Sequence, residues 1–341
     1  MFWLLGLTAL TGFSYTFITG FHDGSNIIST IVASRSIAVK KALVIACISE
    51  LIGGFLFGTA VAQTMAKGLL NYSIISSAIT EKGIGLIIAS FVGAIVWNLI
   101  TWNWGLPSSS YHALVGGMIG AAIFLFGIEA VYWKGILLNV VLVMAISPVI
   151  GFIAGFLMLW LLKQILKYGG RRKEKNIKRI QIITMVALAL SYGSNDSQKS
   201  MGLISLALGF VAGSGEFNVP LWVIAGSSIS LSLGMYLGGW RMVKTVGMKV
   251  FKLKPIHSFA SQMATVSVLL TTTLIGMPVS TTQTITASVM GVGSKENMRR
   301  LNWNIVKKIA LAWITTIPAA MLVSGIIVLI AKGIILLGGN I

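Results

Sequence analysis

Apolar stretches about 20 residues long follow one another through this chain almost without pause. That recurrence constrains its fold more than any other feature. A run of this length, wound as a helix, matches the hydrocarbon thickness of a bilayer. Strands of a membrane barrel would alternate apolar with polar residues, and these runs do not. Only 10% of the 341 residues are charged, where soluble domains carry about 25%. The opening "MFWLLGLTALTGFSYTFITG" lacks a basic front end and runs into more apolar sequence, so it reads as a first membrane segment. The expectation is an all-α polytopic membrane protein with about 10–12 membrane segments. The single Cys47 excludes an internal disulfide.

A net charge of +18 would suggest a nucleic-acid partner in a soluble chain, but its distribution excludes one here. The basic residues bunch in the short stretches 35–41, 163–179, 241–254 and 294–308. Lys and Arg in short loops mark the cytoplasmic face of a multi-pass protein of the cell membrane, where they also meet the anionic lipid bilayer. With those stretches inside, residues 1–34 cross inward, 42–66 return, 83–128 begin and end outside, and 133–162 cross inward again. Residues 180–213, 219–240, 257–293 and 309–333 repeat the path in the opposite sense, leaving both termini extracellular. The chain divides into a first repeat (1–162), a basic cytoplasmic loop (163–179) and a second repeat (180–341). Residues 83–128 and 257–293 are hairpins that either span twice or re-enter.

The sequence supports the duplication independently of charge. "HDGSN" (22–26) parallels "NDSQK" (195–199), and "GLPSSSYHALVGGMIG" (105–120) parallels "GMPVSTTQTITASVMG" (276–291). The spacing from Asp23 to Pro107 nearly equals that from Asp196 to Pro278. Inverted-topology repeats are a hallmark of secondary transporters, which hold substrate near the midplane where the repeats meet.

Three of the eight acidic residues, Asp23, Glu50 and Asp196, fall inside apolar runs. A carboxylate there costs about 2.5–3.5 kcal/mol on the insertion scale, so each faces a polar cavity or a partner. Asp23 and Asp196 sit in crossings too long for one straight helix, among Gly, Ser and Asn. Helices broken at the midplane are therefore expected at both places. The two Pro-Ser stretches read as hairpin tips, each beginning a helix whose first turn exposes unpaired N–H donors, an anion site. Ser109, Ser110, Ser280 and Thr281 add hydroxyl donors; the plainer reading makes them interhelix hydrogen bonds. Donors facing two carboxylates suit an anion bound together with a cation, or with a proton of its own. His22 either contacts an anion, exchanges protons or bonds to the backbone. Lys199 supplies positive charge near the site or pairs with Asp196 one helical turn away.

At these motifs the chain resembles the inorganic phosphate transporter (Pit) family. "GFHDGSN" and "YGSNDSQKSMG" are similar to its duplicated Gly-x-Asn-Asp signature, and "GLPSSSYHALVGG" and "GMPVSTTQTITASVMGVG" to its paired hairpin tips. "GGWRMVKTVG" and "LNWNIVKKIALAWITTIPAA" resemble its bacterial members. The resemblance implies a homodimeric inverted-repeat symporter that imports inorganic phosphate with Na⁺ or H⁺ by alternating access, without other cofactors. It places Asp23, Asn26, Asn195 and Asp196 at the cation site and, with the two aspartates, Ser108, Ser109, Ser110, Ser280, Thr281 and Thr282 around phosphate. His22, Glu50, His112, Lys199 and Gln283 remain candidates for coupling or accessory roles. Gln283 stands where the family usually shows His, and His22 where Asn is common. Gly24 and Ser25 replace the usual Thr or Val and Ala.

Phosphate keeps a P–OH that donates to a carboxylate, whereas sulfate would meet an unpaired negative charge. The alternatives are a permease for sulfate or arsenate, a passive anion channel, and an intramembrane hydrolase using Ser109 or Ser110 with His112 and Asp23. The last is disfavoured because helical residues two apart do not face one another.

Overall fold

The computed structural model describes residues 2–76, 80–167, 171–212, 217–238 and 250–338. The chain is helical throughout these segments. Its first half comprises α1 (Phe2–Ala33), α2 (Val39–Leu56), α3 (Ala60–Lys67), α4 (Tyr72–Ser76), α5 (Thr80–Trp104), α6 (Ser110–Phe126), α7 (Trp133–Ile136) and α8 (Leu142–Leu166). The second comprises α9 (Arg171–Ala212), α10 (Leu221–Leu237), α11 (Pro255–Leu274), α12 (Thr281–Asn297) and α13 (Trp303–Gly338). A π-helical turn over Leu137–Val141 joins α7 to α8.

The expected midplane breaks are absent: α1 runs unbroken past Asp23, and α9 past Asp196. Two effects keep these Gly- and Ser-rich segments helical. Their hydroxyls return to the helix's own carbonyls, as Thr19 does to Tyr15 (3.0 Å), Ser191 to Ala187 (2.7 Å) and Ser197 to Gly193 (2.6 Å). Their glycines let neighbouring helices approach to backbone contact. A Cβ on Gly20 would overlap the Leu231 carbonyl of α10, and one on Gly193 the Glu50 carbonyl of α2. Glycine costs about 1 kcal/mol in a helix interior, and this close packing offsets it.

Four helical segments are long and apolar enough to cross a bilayer among the described residues: Trp3–Ala33, Thr80–Trp104, Trp133–Leu166 and Trp303–Ile334. Helices α2 and α3, bent by 70° at Gly58, form a fifth if taken as one span. That is fewer than the expected 10–12, because α6 and α10 stop at 17 residues and α9 dilutes its apolar run with a polar centre and a basic start. The basic stretch 163–179 is also mostly helical, shared between the end of α8 and the start of α9. Most of the stretch 241–254 lies outside the described residues.

The two halves interlock. Helix α1 packs on α10, and α2 on α9. The α5–α6 hairpin packs on α13, and the α11–α12 hairpin on α8. When α1, α2, α5, α6 and α8 are matched in order with α9, α10, α11, α12 and α13, each of these contacts has its counterpart. The largest apolar cluster gathers Tyr15, Phe91, Leu114, Met118 and Met201 from α1, α5, α6 and α9, and so sits beside the hairpin tips.

Candidate functional site

The two hairpins turn in the same way. Helix α5 ends at Trp104 and α11 at Leu274, and the following Gly105 (φ +67°) and Gly276 (φ +73°) adopt a conformation that side chains disfavour. Leu106 then donates its N–H back to the Thr101 carbonyl (3.1 Å), as Met277 does to Thr272 (2.8 Å). The next helices begin with matched caps. Ser109 accepts the His112 N–H (3.2 Å), and Ser280 accepts the Gln283 N–H (3.3 Å). As caps these hydroxyls accept from the helix, which leaves each O–H free to donate outward. Both tips are buried.

Each tip meets an aspartate-bearing helix. The buried Asp23 Oδ1 lies 2.7 Å from His22 Nδ1. His22 Nε2 then faces Thr101 Oγ1 (3.2 Å) and Ser108 Oγ (3.5 Å). Asn26 Nδ2 donates to Thr282 Oγ1 (3.0 Å). Each hairpin tip therefore reaches the helix that carries Asp23. In the second half, Lys199 Nζ donates to Asp196 Oδ1 (2.6 Å) and to the Val279 carbonyl (2.8 Å). Asn195 Nδ2 donates to Thr273 Oγ1 (3.0 Å).

These contacts link His22, Asp23 and Ser108, with Asn26 and Thr282 one turn on, in one half-site, and Asp196, Lys199 and Val279 in the other, while Ser110 and Thr281 open α6 and α12 at the two tips. Thr16 and Ser200, whose hydroxyls lie 2.6 Å apart, tie the two aspartate helices directly. Among the described residues, Asn26 Oδ1, Ser110 Oγ, Asn195 Oδ1 and Asp196 Oδ2 are buried without a hydrogen-bond partner. Unsatisfied polar atoms are rare inside proteins, and acceptors beside hydroxyl donors form a surface able to hold a cation and an oxyanion together.

Other expected residues sit at the margin. His112 and Gln283 occupy the same position, third in their helices, each buried with unpartnered side-chain polar atoms. Ser109 meets the backbone of His112 rather than its ring, so the hydrolase arrangement is not formed. Glu50 is buried on α2 with both carboxylate oxygens unpartnered, and its backbone carbonyl lies against Gly193, three residues before Asp196, in the tight α2–α9 contact.

Several contributors escaped the sequence reading. Thr101 and Thr273 anchor the aspartate helices to the hairpins, and the threonines preceding each Gly-x-Pro tip were a legible signal for them. Tyr15 donates to the Ser110 carbonyl (3.0 Å), and Trp313 Nε1 to the Pro107 carbonyl (3.1 Å). Gln198, inside the second signature, accepts the Val61 and Ala62 N–H groups (2.9 and 3.3 Å) and so caps α3 from another helix. No spacing rule announces such a cap.

The profile of the phosphate transporter family matches residues 19–173 and 168–324. A probable low-affinity inorganic phosphate transporter of Bacillus subtilis is 34% identical over 316 residues, 92% of each chain. One from Rhizobium meliloti is 35% identical over 327 residues, 95% of each. Among solved structures, one described as the sodium-dependent phosphate transporter superposes with a TM-score of 0.87 at 26% identity, covering 97% of this chain and 99% of that one.

Proposed function

The chain belongs to the phosphate transporter family, and from that premise we propose that it imports inorganic phosphate by cation-coupled alternating access. The observation that carries the reading is the convergence of two serine-capped helix starts on the helices that carry Asp23 and Asp196. Helix N-termini and hydroxyls hold the oxyanion. Asp23, Asn26, Asn195 and Asp196 are the candidate oxygen ligands from which a coupling-cation site is drawn. Ser108, Ser109, Ser110, Ser280, Thr281 and Thr282 contribute hydroxyls from the tips. The unpartnered Asp196 Oδ2 suits the P–OH of monohydrogen phosphate, which sulfate cannot offer. Sodium is the favoured coupling ion, supported by the similar structure described as sodium-dependent.

The matched caps, turns and helix pairings support reading 1–162 and 180–341 as inverted repeats linked by the basic stretch 163–179. Burial of both tips beside the aspartates supports hairpins that re-enter. The basic stretches support both termini facing outward. A homodimer rests on the family resemblance alone. The deciding experiment is phosphate uptake into proteoliposomes with Na⁺ and proton gradients imposed separately. Accumulation against a phosphate gradient driven by Na⁺ is expected. Equilibration without accumulation would identify a channel, and full competition by sulfate a less selective oxyanion permease.

A further inference from the structure

The half-sites differ most sharply three residues beyond each aspartate, where Asn26 follows Asp23 and Lys199 follows Asp196. Their surroundings correspond. Asn26 meets Thr282, second residue of α12, while Lys199 lies against the ring of Tyr111, second residue of α6, with Nζ 5.2 Å from its centroid. We propose that the Lys199 ammonium is a tethered cation standing in for a sodium ion at Asp196, so that this half carries its own positive charge and the mobile sodium binds at the Asp23 half.

The ligands of the ammonium carry the argument. Lys199 is 1% exposed, and its nitrogen is held by a carboxylate oxygen (2.6 Å) and a hairpin-tip carbonyl (2.8 Å). Carboxylates and main-chain carbonyls are the oxygens that receive alkali cations in transporter sites. The aromatic face completes a cation-favouring shell. Asn26 carries no charge, and its unpartnered Oδ1 adds an oxygen to the Asp23 side.

The wider setting agrees. Gly193 packs on the Glu50 carbonyl and Gly20 on the Leu231 carbonyl, so Glu50 and Leu231 occupy matching places. The fixed cation therefore lies on the helix that packs against the extra carboxylate's helix, Glu50 reaching it from the first half. Unlike a dissolved ion, it neither dissociates in transit nor depends on concentration.

This inference rests on the cation-coupled transport reading, and its test separates the two. Lys199→Asn gives the second half the first half's residue. In proteoliposomes, the sodium count per phosphate, taken from the reversal potential, is expected to rise by one, and the Hill slope for sodium by about one. In detergent, sodium titrated against choline should raise the melting temperature of Lys199→Asn more than that of the wild type. The double variant Asp196→Asn with Lys199→Asn should lose that gain. Unchanged sodium dependence of melting in Lys199→Asn overturns the proposal, and so does a gain that persists in the double variant. A variant that folds but no longer transports is still decided by melting. Absence of cation-driven uptake by the wild type would instead defeat the transport reading.

Discussion

Around Asp23 the immediate partners are an imidazole and, one turn on, an amide, whereas Asp196 is met by the Lys199 ammonium on one side and has a second carboxylate, Glu50, on the helix packed against its own. Yet the frames around these aspartates match: a glycine three residues earlier against a neighbouring backbone, a glycine opening each tip, and a serine capping each following helix. Between the two halves, what backbone geometry demands is matched and polar identity is not. A Cβ cannot be added where two backbones touch, but an amide can become an ammonium where the space is the same.

The largest test of that comparison is to neutralise each aspartate in turn. Asp196→Asn and Asp23→Asn should each lower phosphate uptake about 100-fold or more, since each loses a charged acceptor with buried donors facing it. Both should still insert, as judged by monodisperse size exclusion. A half-site whose aspartate can be neutralised with full transport has no part in the mechanism.

The frame comes next. Gly20→Ala and Gly193→Ala should each cost about 1–3 kcal/mol and reduce the yield of folded protein, because the added methyl overlaps a carbonyl of the partner helix. Gly85→Ala, which meets nothing within 4 Å, is the neutral control. Thermal unfolding in detergent reads all three. Unequal losses at Gly20 and Gly193 would break the equivalence of the two helix pairs.

The caps should matter less. Ser109→Ala and Ser280→Ala should each cost about 1 kcal/mol of stability. Each also removes a hydroxyl facing the proposed oxyanion, so phosphate affinity should fall about threefold to tenfold. A fall at only one tip, measured from the concentration dependence of uptake, would show that one hairpin dominates recognition.

The smallest effect lies at the far ends of the hairpins. Glu296, at the end of α12, pairs with Lys163 of α8 (2.5 Å) and with His257 (3.3 Å). At the end of α6, Lys332 of α13 instead donates to the Phe124 carbonyl (2.7 Å). The hydrogen bond from Lys163 holds the Glu296 carboxyl below its ordinary range. A carboxyl lowered on folding contributes stability above its unfolded pKa, of about 4.3, and loses it as pH falls through the lower folded value. Glu296→Gln should therefore cost about 0–1 kcal/mol near neutrality, and the difference from wild type should vanish in acid. A difference that persists there assigns the effect to packing.

The sequence revealed the helical membrane class, the paired motifs and the aspartates, because these depend on residue type and spacing alone. It misjudged Gly24, Ser25, Ser194 and Ser197 as helix breakers. Their helix is stabilised by hydroxyls folding back on the chain and by glycine contacts with helices far away in sequence, and neither is encoded in local propensity. Glu50 was visible as an intramembrane carboxylate, but its place across from Asp196 depends on the α2–α9 contact. Gln198 looked like part of the signature and turned out to cap α3.

The interlock of the halves bears on how the protein is made. When α1 first leaves the translocon, Thr282, which its Asn26 will meet, has not been synthesised, nor has α13, on which the first hairpin rests. The early product must wait in the bilayer with polar groups unmatched until the ribosome has nearly finished. A chain stopped after residue 162 should therefore be cleared rapidly by membrane quality control in a pulse-chase, and co-expression of 163–341 should extend its lifetime.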